Sequence, residues 1–313
     1  MTEDQCVHGS LQKYLSDPNV NEVLVNGPGR IWVERNGRLQ LTEEKFSEDS
    51  LRRYVRRLLS SQGRKVDQLT PFANAVVDGG VRVHVAIPPV SRQGTCLSLR
   101  KASESPWTLS RLESTGSVKA TVAAQLRAFV SEGKNIFVCG GTGSGKTSLL
   151  GALLSEVPAQ ERILALEDVA EIRAEHPHFL ALEARPSNQE GEGCLPLSLL
   201  LREALRMRPD RLVVGECRGP EAADLLMALH TGHRGSMATI HANSARDALH
   251  RLETLALLAS QNLRESALKY LVAACIQVVI HLERGTQGRR IASIAEVKGV
   301  EGANYLLRET KFS

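Results

Sequence analysis

Eight consecutive residues constrain this chain more than any other feature of its sequence. Residues 140–147 read Gly-Gly-Thr-Gly-Ser-Gly-Lys-Thr, which fits the pattern G-x-x-x-x-G-K-[ST] at every fixed position. The apolar residues 136–139 precede this segment, and the apolar residues 148–154 follow it. The spacing therefore predicts a buried strand, a phosphate-binding loop and a helix in direct succession, and with them a bound nucleoside triphosphate.

Each residue type in this segment has a physical reason to be there. Glycines let consecutive backbone N–H groups converge on a phosphate, and the helix N-terminus adds a partial positive charge. Lys146 is expected to reach the β- and γ-phosphates, and Thr147 is expected to bind Mg²⁺. A glycine-rich turn without a ligand is the alternative. The predicted nucleotide-binding residues are Gly140, Gly141, Thr142, Gly143, Ser144, Gly145, Lys146, Thr147 and Ser148.

Acidic residues end two other apolar runs of the chain. Residues 211–215 lead into Glu216, and residues 163–166 lead into Glu167 and Asp168, with Glu171 shortly after. Nucleotide hydrolysis needs carboxylates that orient water and assist the metal, and the ends of strands beside a phosphate-binding loop are where such groups lie. Any one of these acids could instead cap a helix. We predict that they belong to the site.

The length of the chain and the change in residue pattern along it predict two domains. A chain of 313 residues with 42% apolar content can bury two cores. The first hundred residues alternate short strand and helix patterns, residues 101–119 read as a linker, and the remainder alternates buried strand, turn and helix. We therefore expect a small α+β domain with its linker over residues 1–112, and an α/β domain with a mostly parallel sheet over residues 113–313.

Two local features stand out in the predicted N-terminal domain. Residues 31–34 and 39–41 flank Asn36-Gly37, which is a strong hairpin signal. Residues 51–59 have a helical pattern that places four arginines along one flank, and these are Arg52, Arg53, Arg56 and Arg57. Such a flank is either a solvated face or a contact with a subunit or with lipid headgroups.

Composition excludes several classes of protein. The longest stretch without Asp, Glu, Lys or Arg is 13 residues, 270–282, which is too short to cross a bilayer. The first residues are acidic and have no apolar core, so we expect no secretory signal and a cytoplasmic location. The net charge, 39 − 35 = +4, excludes a strongly basic tail. Six scattered cysteines without a C-x-x-C pair indicate neither a disulfide framework nor a zinc site.

Two later segments make a resemblance to a known family specific. Residues 231–244, which follow residues 208–219, resemble the histidine box after the Walker B segment of type II/type IV secretion-system ATPases, the GspE/PilT-like P-loop motors. Residues 163–172 resemble the Asp box of that superfamily. Residues 17–27, 31–35 and 81–89 are similar to its tight-adherence pilus assembly branch, CpaF/TadA. The resemblance covers nearly the whole chain.

The resemblance implies a fold, an activity and partners. The fold is a RecA-like ATPase domain preceded by a small α+β N-terminal domain. The activity is hydrolysis of ATP with Mg²⁺ by a homo-hexameric ring, with the nucleotide between the two domains of each protomer. The implied partner is an inner-membrane platform protein of a pilus or secretion machine, which would hold the cytoplasmic motor at the membrane. No direct contact with nucleic acid is expected.

The resemblance also assigns roles to residues. Glu216 is implied as the catalytic carboxylate, and Glu167, Asp168 and Glu171 are implied to support the metal and the water. His233 and His241 are implied to sense the γ-phosphate, and satisfied loop histidines are the alternative. A histidine near a phosphate gains a proton more readily, so it can report the loss of that group.

The resemblance further implies arginines supplied by the N-terminal domain. Arg82 and Arg100 lie in the segments that match those positions. A guanidinium that approaches the nucleotide on domain closure can stabilise phosphoryl transfer.

Three functional hypotheses follow. The first is an ATP-driven assembly or secretion motor, which the motifs favour. The second is a DNA motor, including one for conjugative transfer, which should show a basic or aromatic-lined track; the six Phe, two Trp and four Tyr do not cluster. The third is a nucleotide-binding module without hydrolysis, which would not need the acids and both histidines. Building a pilus, retracting one, secretion and conjugation remain open alternatives for the motor.

Overall fold

The computed structural model describes residues 3–35, 37–61, 63–101, 106–185, 187, 192–259, 264–285 and 288–312. The chain divides into two compact units, Met1–Glu104 and Ser105–Ser313. This division lies before residue 112, where the sequence places the domain boundary. Each unit has its own sheet and its own hydrophobic core.

The first unit is a six-stranded antiparallel sheet with two helices. Its strand order is β3-β2-β1-β6-β5-β4. The elements are α1 Glu3–Leu15, β1 Val20–Asn26, β2 Ile31–Arg35, β3 Arg38–Leu41, α2 Glu48–Ser60, β4 Phe72–Val77, β5 Val81–Ala86 and β6 Cys96–Arg100.

Alternation along the strands builds the core of this unit. Val23 and Val25 of β1, together with Leu97 and Leu99 of β6, are buried on one sheet face with apolar residues of both helices. Residues between them point to the other face, as the two-residue period of a strand requires. The predicted hairpin is confirmed, since β2 and β3 pair in antiparallel fashion; Asn36 itself lies outside the described residues.

The predicted linker contains a packed helix, which the sequence analysis missed. Helix α3, Leu109–Ser114, begins at an N-cap Thr108, whose side chain accepts a hydrogen bond from the backbone N–H of Arg111. Leu109 and Leu112 are buried in the core of the second unit. Six residues are too few for a hydrophobic period to appear in the sequence, so the helix depends on this packing.

The second unit is an eight-stranded sheet covered by helices. The strand order is β14-β13-β12-β7-β11-β10-β8-β9, with β12 to β9 parallel and β12-β13-β14 antiparallel. Beyond α3 its elements are α4 Ala120–Ser131, β7 Ile136–Gly140, α5 Lys146–Leu154, β8 Ile163–Glu167, β9 Phe179–Glu183, α6 Leu197–Ala204, β10 Arg211–Cys217, α7 Glu221–His230, β11 Met237–Ile240, α8 Ala245–Ala259, α9 Glu265–Cys275, β12 Val278–Gly285, β13 Gly288–Glu301 and β14 Asn304–Lys311.

Two apolar layers sandwich this sheet. Helices α6 to α9 bury residues with one face of the strands, and α3 to α5 bury residues with the other. The central strands β7, β8 and β11 are buried at every position, which explains why they read as continuous apolar runs rather than alternating ones. The described helices include none that is long and apolar enough to span a membrane.

Candidate nucleotide-binding and catalytic site

The loop between β7 and α5 has the backbone shape that the sequence predicts. Its glycines include three with positive φ, 150° at Gly140, 71° at Gly143 and 99° at Gly145. A Cβ on Gly140 would lie 2.4 Å from the carbonyl oxygen of Leu282 and 2.7 Å from Oγ of Ser144. Because these atoms are so close, only glycine allows the chain to turn there.

Lys146 begins helix α5 and is buried among loop atoms. Its Nζ donates hydrogen bonds to the carbonyl oxygens of Gly141 at 2.8 Å and Gly140 at 3.1 Å. Burial lowers the pKa of Lys146, and the nearby Glu216 carboxylate opposes that shift. The ammonium group thus lies in the loop, where a phosphate would be bound.

His241 connects Lys146 to Glu216. It follows β11 directly, and its Nδ1 lies 3.5 Å from Nζ of Lys146, while its Nε2 lies 3.2 Å from Oε1 of Glu216. Burial, and then the Lys146 charge, lower the pKa of His241, whereas Glu216 raises it. Nδ1 of the ring thus faces the ammonium group and Nε2 faces the carboxylate, so one imidazole contacts both charged groups.

The acids after β8 divide into different roles. Glu167 is buried, and its Oε1 accepts hydrogen bonds from the backbone N–H groups of Glu171 and Ile172, each at 2.9 Å. Glu171 in turn accepts a hydrogen bond of 3.1 Å from Oγ1 of Thr147. Glu167 thus fixes the backbone that carries Glu171 to the loop. A Cβ on Gly215 of β10 would lie 2.9 Å from Cγ of Glu167, so the close packing of this acid depends on that glycine.

Asp168 forms an ion pair with Arg218. Its Oδ2 lies 2.7 Å from Nη2 of Arg218. Burial raises the pKa of Asp168, and Arg218 opposes that shift. The buried Glu221 accepts hydrogen bonds of 2.7 Å from the backbone N–H groups of Arg218 and Gly219, which holds the turn after β10. The pair therefore joins the ends of β8 and β10.

His233 lies at the opposite edge of the sheet from the phosphate-binding loop. It precedes β11 instead of following it, and its Nδ1 lies 3.0 Å from the carbonyl oxygen of Ala228 at the end of α7. Its own carbonyl accepts a hydrogen bond from Oγ of Ser236. The structure thus brings His241 to the loop and leaves His233 at the amino ends of the strands, where it ends a helix.

Arg82 and Arg100 are cross-strand neighbours in the first unit. Arg82 of β5 pairs in register with Arg100 of β6, which also pairs with Glu22 of β1. Burial raises the pKa of Glu22, and Arg100 opposes that shift. The role of Arg82 and Arg100 toward a nucleotide stays a prediction.

The loop and its acids fit a nucleotide with Mg²⁺. Oγ of Ser144 is buried and has no hydrogen-bond partner within the described structure, so it is available to a ligand. Thr147 and Glu171 present the oxygen ligands that Mg²⁺ prefers. In the part of the chain that the structure describes, no group of three His, Cys, Asp or Glu could hold a metal by itself. Mg²⁺ in nucleotide sites takes most of its ligands from phosphates and water.

Comparison with known proteins places this site in a family. A family described as type II/IV secretion system protein matches residues 4–301. The chain belongs to the type II/IV secretion system protein family. This match spans both structural units and confirms the superfamily that the sequence motifs indicate.

Individual relatives agree with this membership. A putative conjugal transfer protein of Mycobacterium tuberculosis is 41% identical over 302 residues, covering 94% of this chain and 85% of the relative. The type IV secretion system protein PtlH of Bordetella pertussis is 36% identical over 309 residues, covering 90% and 91%. The VirB11 ATPase of the Brucella suis type IV secretion system, solved with sulphate, has 26% identity and a TM-score of 0.51, covering 94% of each chain.

These comparisons confirm the predicted fold class, a RecA-like domain preceded by an α+β N-terminal domain. None of the three relatives is named for tight adherence, so that branch stays a prediction. The sequence analysis missed three residues beside the site: Arg218, which pairs with Asp168, Glu221, which holds the turn after β10, and Arg289, which donates to the loop carbonyl of Gly143. Arg218 and Glu221 closely follow Glu216, and that proximity was a usable signal. Arg289 lies far along the chain, and nothing in its local sequence connects it to the loop.

Proposed function

We propose that this protein is an ATP-hydrolysing motor of a pilus, secretion or conjugation machine. The observation that supports this most is the contact of Lys146, His241 and Glu216 at the carboxyl ends of neighbouring parallel strands. A module that only binds nucleotide needs the lysine but not the histidine and the carboxylate. The names of the relatives, a VirB11 ATPase among them, support the same activity.

The chemistry follows from what each side chain can do. Glu216 can accept a hydrogen bond from the attacking water and orient it toward the terminal phosphate. His241, held between Glu216 and Lys146, can respond when that phosphate arrives or leaves. Thr147 and Glu171 are the proposed magnesium side of the site, where the ion would neutralise charge on the phosphates. Asp168 acts through its ion pair with Arg218.

We propose three candidate machines that this activity could drive. Similarity of the N-terminal segments supports tight-adherence pilus assembly. The putative conjugal transfer protein of M. tuberculosis, at 41% identity, favours conjugative transfer as a second candidate. The name of PtlH supports secretion. All three candidates share an ATP-driven motor.

We further propose a homo-hexamer that is held at the inner membrane by a platform protein. Heterologous contacts between protomers that close on themselves make rings, and we propose that Arg82 and Arg100 of the N-terminal domain serve the nucleotide in such an assembly. Light scattering with and without ATP measures the assembly. A strict monomer at micromolar concentration with nucleotide bound contradicts the ring.

The activity is tested by Mg²⁺-dependent ATP hydrolysis in wild type and two lysine variants. Lys146→Ala removes the ammonium group in the loop and should abolish both nucleotide binding and hydrolysis. Lys134→Ala removes a lysine at the opposite sheet edge, paired with Glu132 at 3.4 Å, and should leave both unchanged. Hydrolysis that persists in Lys146→Ala, or without Mg²⁺, contradicts the proposal.

A further inference from the structure

The hairpin formed by β12 and β13 extends past the end of strand β7, beside the phosphate-binding loop. Leu282 of β12 pairs with Gly140, the last residue of β7, and β12 continues to Gly285. On the returning strand, Nε of Arg289 donates a 2.9 Å hydrogen bond to the carbonyl oxygen of Gly143. Lys146 is thus contacted by His241 from the β11 side, and the loop residue Gly143 is contacted by Arg289 from the β12 side.

Gly145 of the loop has no side chain, and this leaves space for Arg289. A Cβ on Gly145 would lie 3.2 Å from Cδ of Arg289, and a Cβ on Gly143 would lie 3.5 Å from Nη1 of Arg284. The next residue, Arg290, is directed away and pairs with Glu283 at 3.1 Å. The hairpin therefore offers an arginine on the loop and a neighbouring arginine that does not contact it.

The hydrogen bond to Gly143 fixes the orientation of a peptide group. In a trans peptide the carbonyl and the following N–H point in opposite directions. Because Arg289 holds the carbonyl of Gly143, the N–H of Ser144 points the opposite way, and it donates a 3.4 Å hydrogen bond to the carbonyl oxygen of Gly141 across the loop. The bond from Arg289 therefore supports one turned conformation of the loop backbone, and loops of this kind bind phosphate through their backbone N–H groups.

We propose that Arg289 is a positioning residue that holds the phosphate-binding loop in its binding shape before the nucleotide arrives. The loop is rich in glycine and loses much conformational freedom when a phosphate orders it. A bond that orders the loop beforehand reduces this loss, so affinity rises. This role rests on the proposed function, because it requires that the loop bind a nucleoside di- or triphosphate.

The test compares four variants by binding of fluorescent ADP and of a non-hydrolysable ATP analogue. We expect Arg289→Ala to weaken both about tenfold, the effect typical of losing one hydrogen bond from a charged group. The loss should appear in KM and leave kcat unchanged, since the loop binds substrate and transition state alike. Arg290→Ala, the matched control, should bind as wild type does. Hydrogen exchange of amides 141–145 without nucleotide should be faster in Arg289→Ala than in wild type and unchanged in Arg290→Ala.

Two further variants separate the hydrogen bond from simple positive charge. Arg289→Lys keeps the charge but lacks a donor at the Nε position, so it should bind as weakly as Arg289→Ala. Arg284→Ala removes a nearby charge and keeps the bond, so it should lose less affinity. Full affinity in Arg289→Lys, equal losses in Arg284→Ala and Arg289→Ala, or unchanged exchange in Arg289→Ala would each overturn the inference. A wild type that binds no nucleotide overturns the proposed function itself, whereas a binding wild type with unaffected Arg289→Ala overturns only the positioning role.

Discussion

The two edges of the central parallel sheet use similar side chains in different ways. At the amino edge, Arg211 donates to the carbonyl oxygens of Val130 and Gly235, and Asn135 donates to the carbonyl oxygen of Cys275. At the carboxyl edge, the hydrogen-bonding and ion-pair partners of His241 and Glu216 are side chains.

The difference teaches how to separate the roles of the two histidines in this fold. A side chain bonded to backbone carbonyls is held in one place, and removing it leaves those carbonyls without a partner. Side chains that contact one another through ionisable atoms can change partners when a charged ligand enters. The nature of the partner, more than the residue type, distinguishes His233 from His241.

Arg211→Ala should have the largest effect on stability. Arg211 is 3% exposed and also pairs with Glu161 at 2.5 Å, so its removal breaks a buried network. We expect the free energy of unfolding to fall by about 3 kcal/mol, while the folded fraction still binds ATP. Arg234→Ala, at an exposed position of the same edge, is the control. Urea unfolding measures the free energy of unfolding of both variants. Equal losses in Arg211→Ala and Arg234→Ala would contradict the difference between the two edges.

The histidine pair sharpens the comparison directly. We expect His241→Ala to reduce kcat about 100-fold, as loss of one polar group at a reacting phosphate does, with ADP affinity nearly unchanged. His233→Ala should retain kcat within about twofold and lower stability by about 1 kcal/mol, because it loses one hydrogen bond to a carbonyl. Steady-state hydrolysis and thermal unfolding of both variants check this. A comparable loss of kcat in His233→Ala would place function at both edges.

The Asp168 and Arg218 pair should give the smallest effect. Their side chains are 32% and 59% exposed, so solvent screens the ion pair. A double-mutant cycle with Asp168→Asn and Arg218→Ala should show a coupling free energy of about 0.5 kcal/mol in kcat/KM. Strict additivity would instead mean that Asp168 acts on the metal or water independently of Arg218.

Sequence reasoning predicted the second unit well because its signals are local. The segment before Lys146 requires glycine by its backbone shape, and the buried strands are continuous apolar runs that show directly in the sequence. The carboxyl ends of parallel strands meet at one edge, which is why Glu216 and His241 were expected near the loop.

What sequence reasoning missed depends on tertiary contacts. Helix α3 is too short to show a period, and Arg289 reaches the loop from a strand 146 positions away in the chain. The sequence analysis grouped Glu167, Asp168 and Glu171 as one set of acids. Their different partners, which are backbone N–H groups, Arg218 and Thr147, follow from the fold of the turn after β8. The histidine-box resemblance pairs His233 with His241, but the two residues lie at opposite ends of β11 and are therefore close in sequence and distant in space.

Glu216→Gln tests the central claim, that the carboxyl edge hydrolyses ATP, most directly. The variant keeps the shape of the side chain and removes the charge that only the transition state needs. We predict that it binds ATP with an affinity within about threefold of wild type and that hydrolysis falls about 100-fold or more, so that ATP stays bound and intact. Filter binding of radiolabelled ATP, followed by analysis of the bound nucleotide, gives both values in one experiment. Bound ADP formed at the wild-type rate would contradict the account.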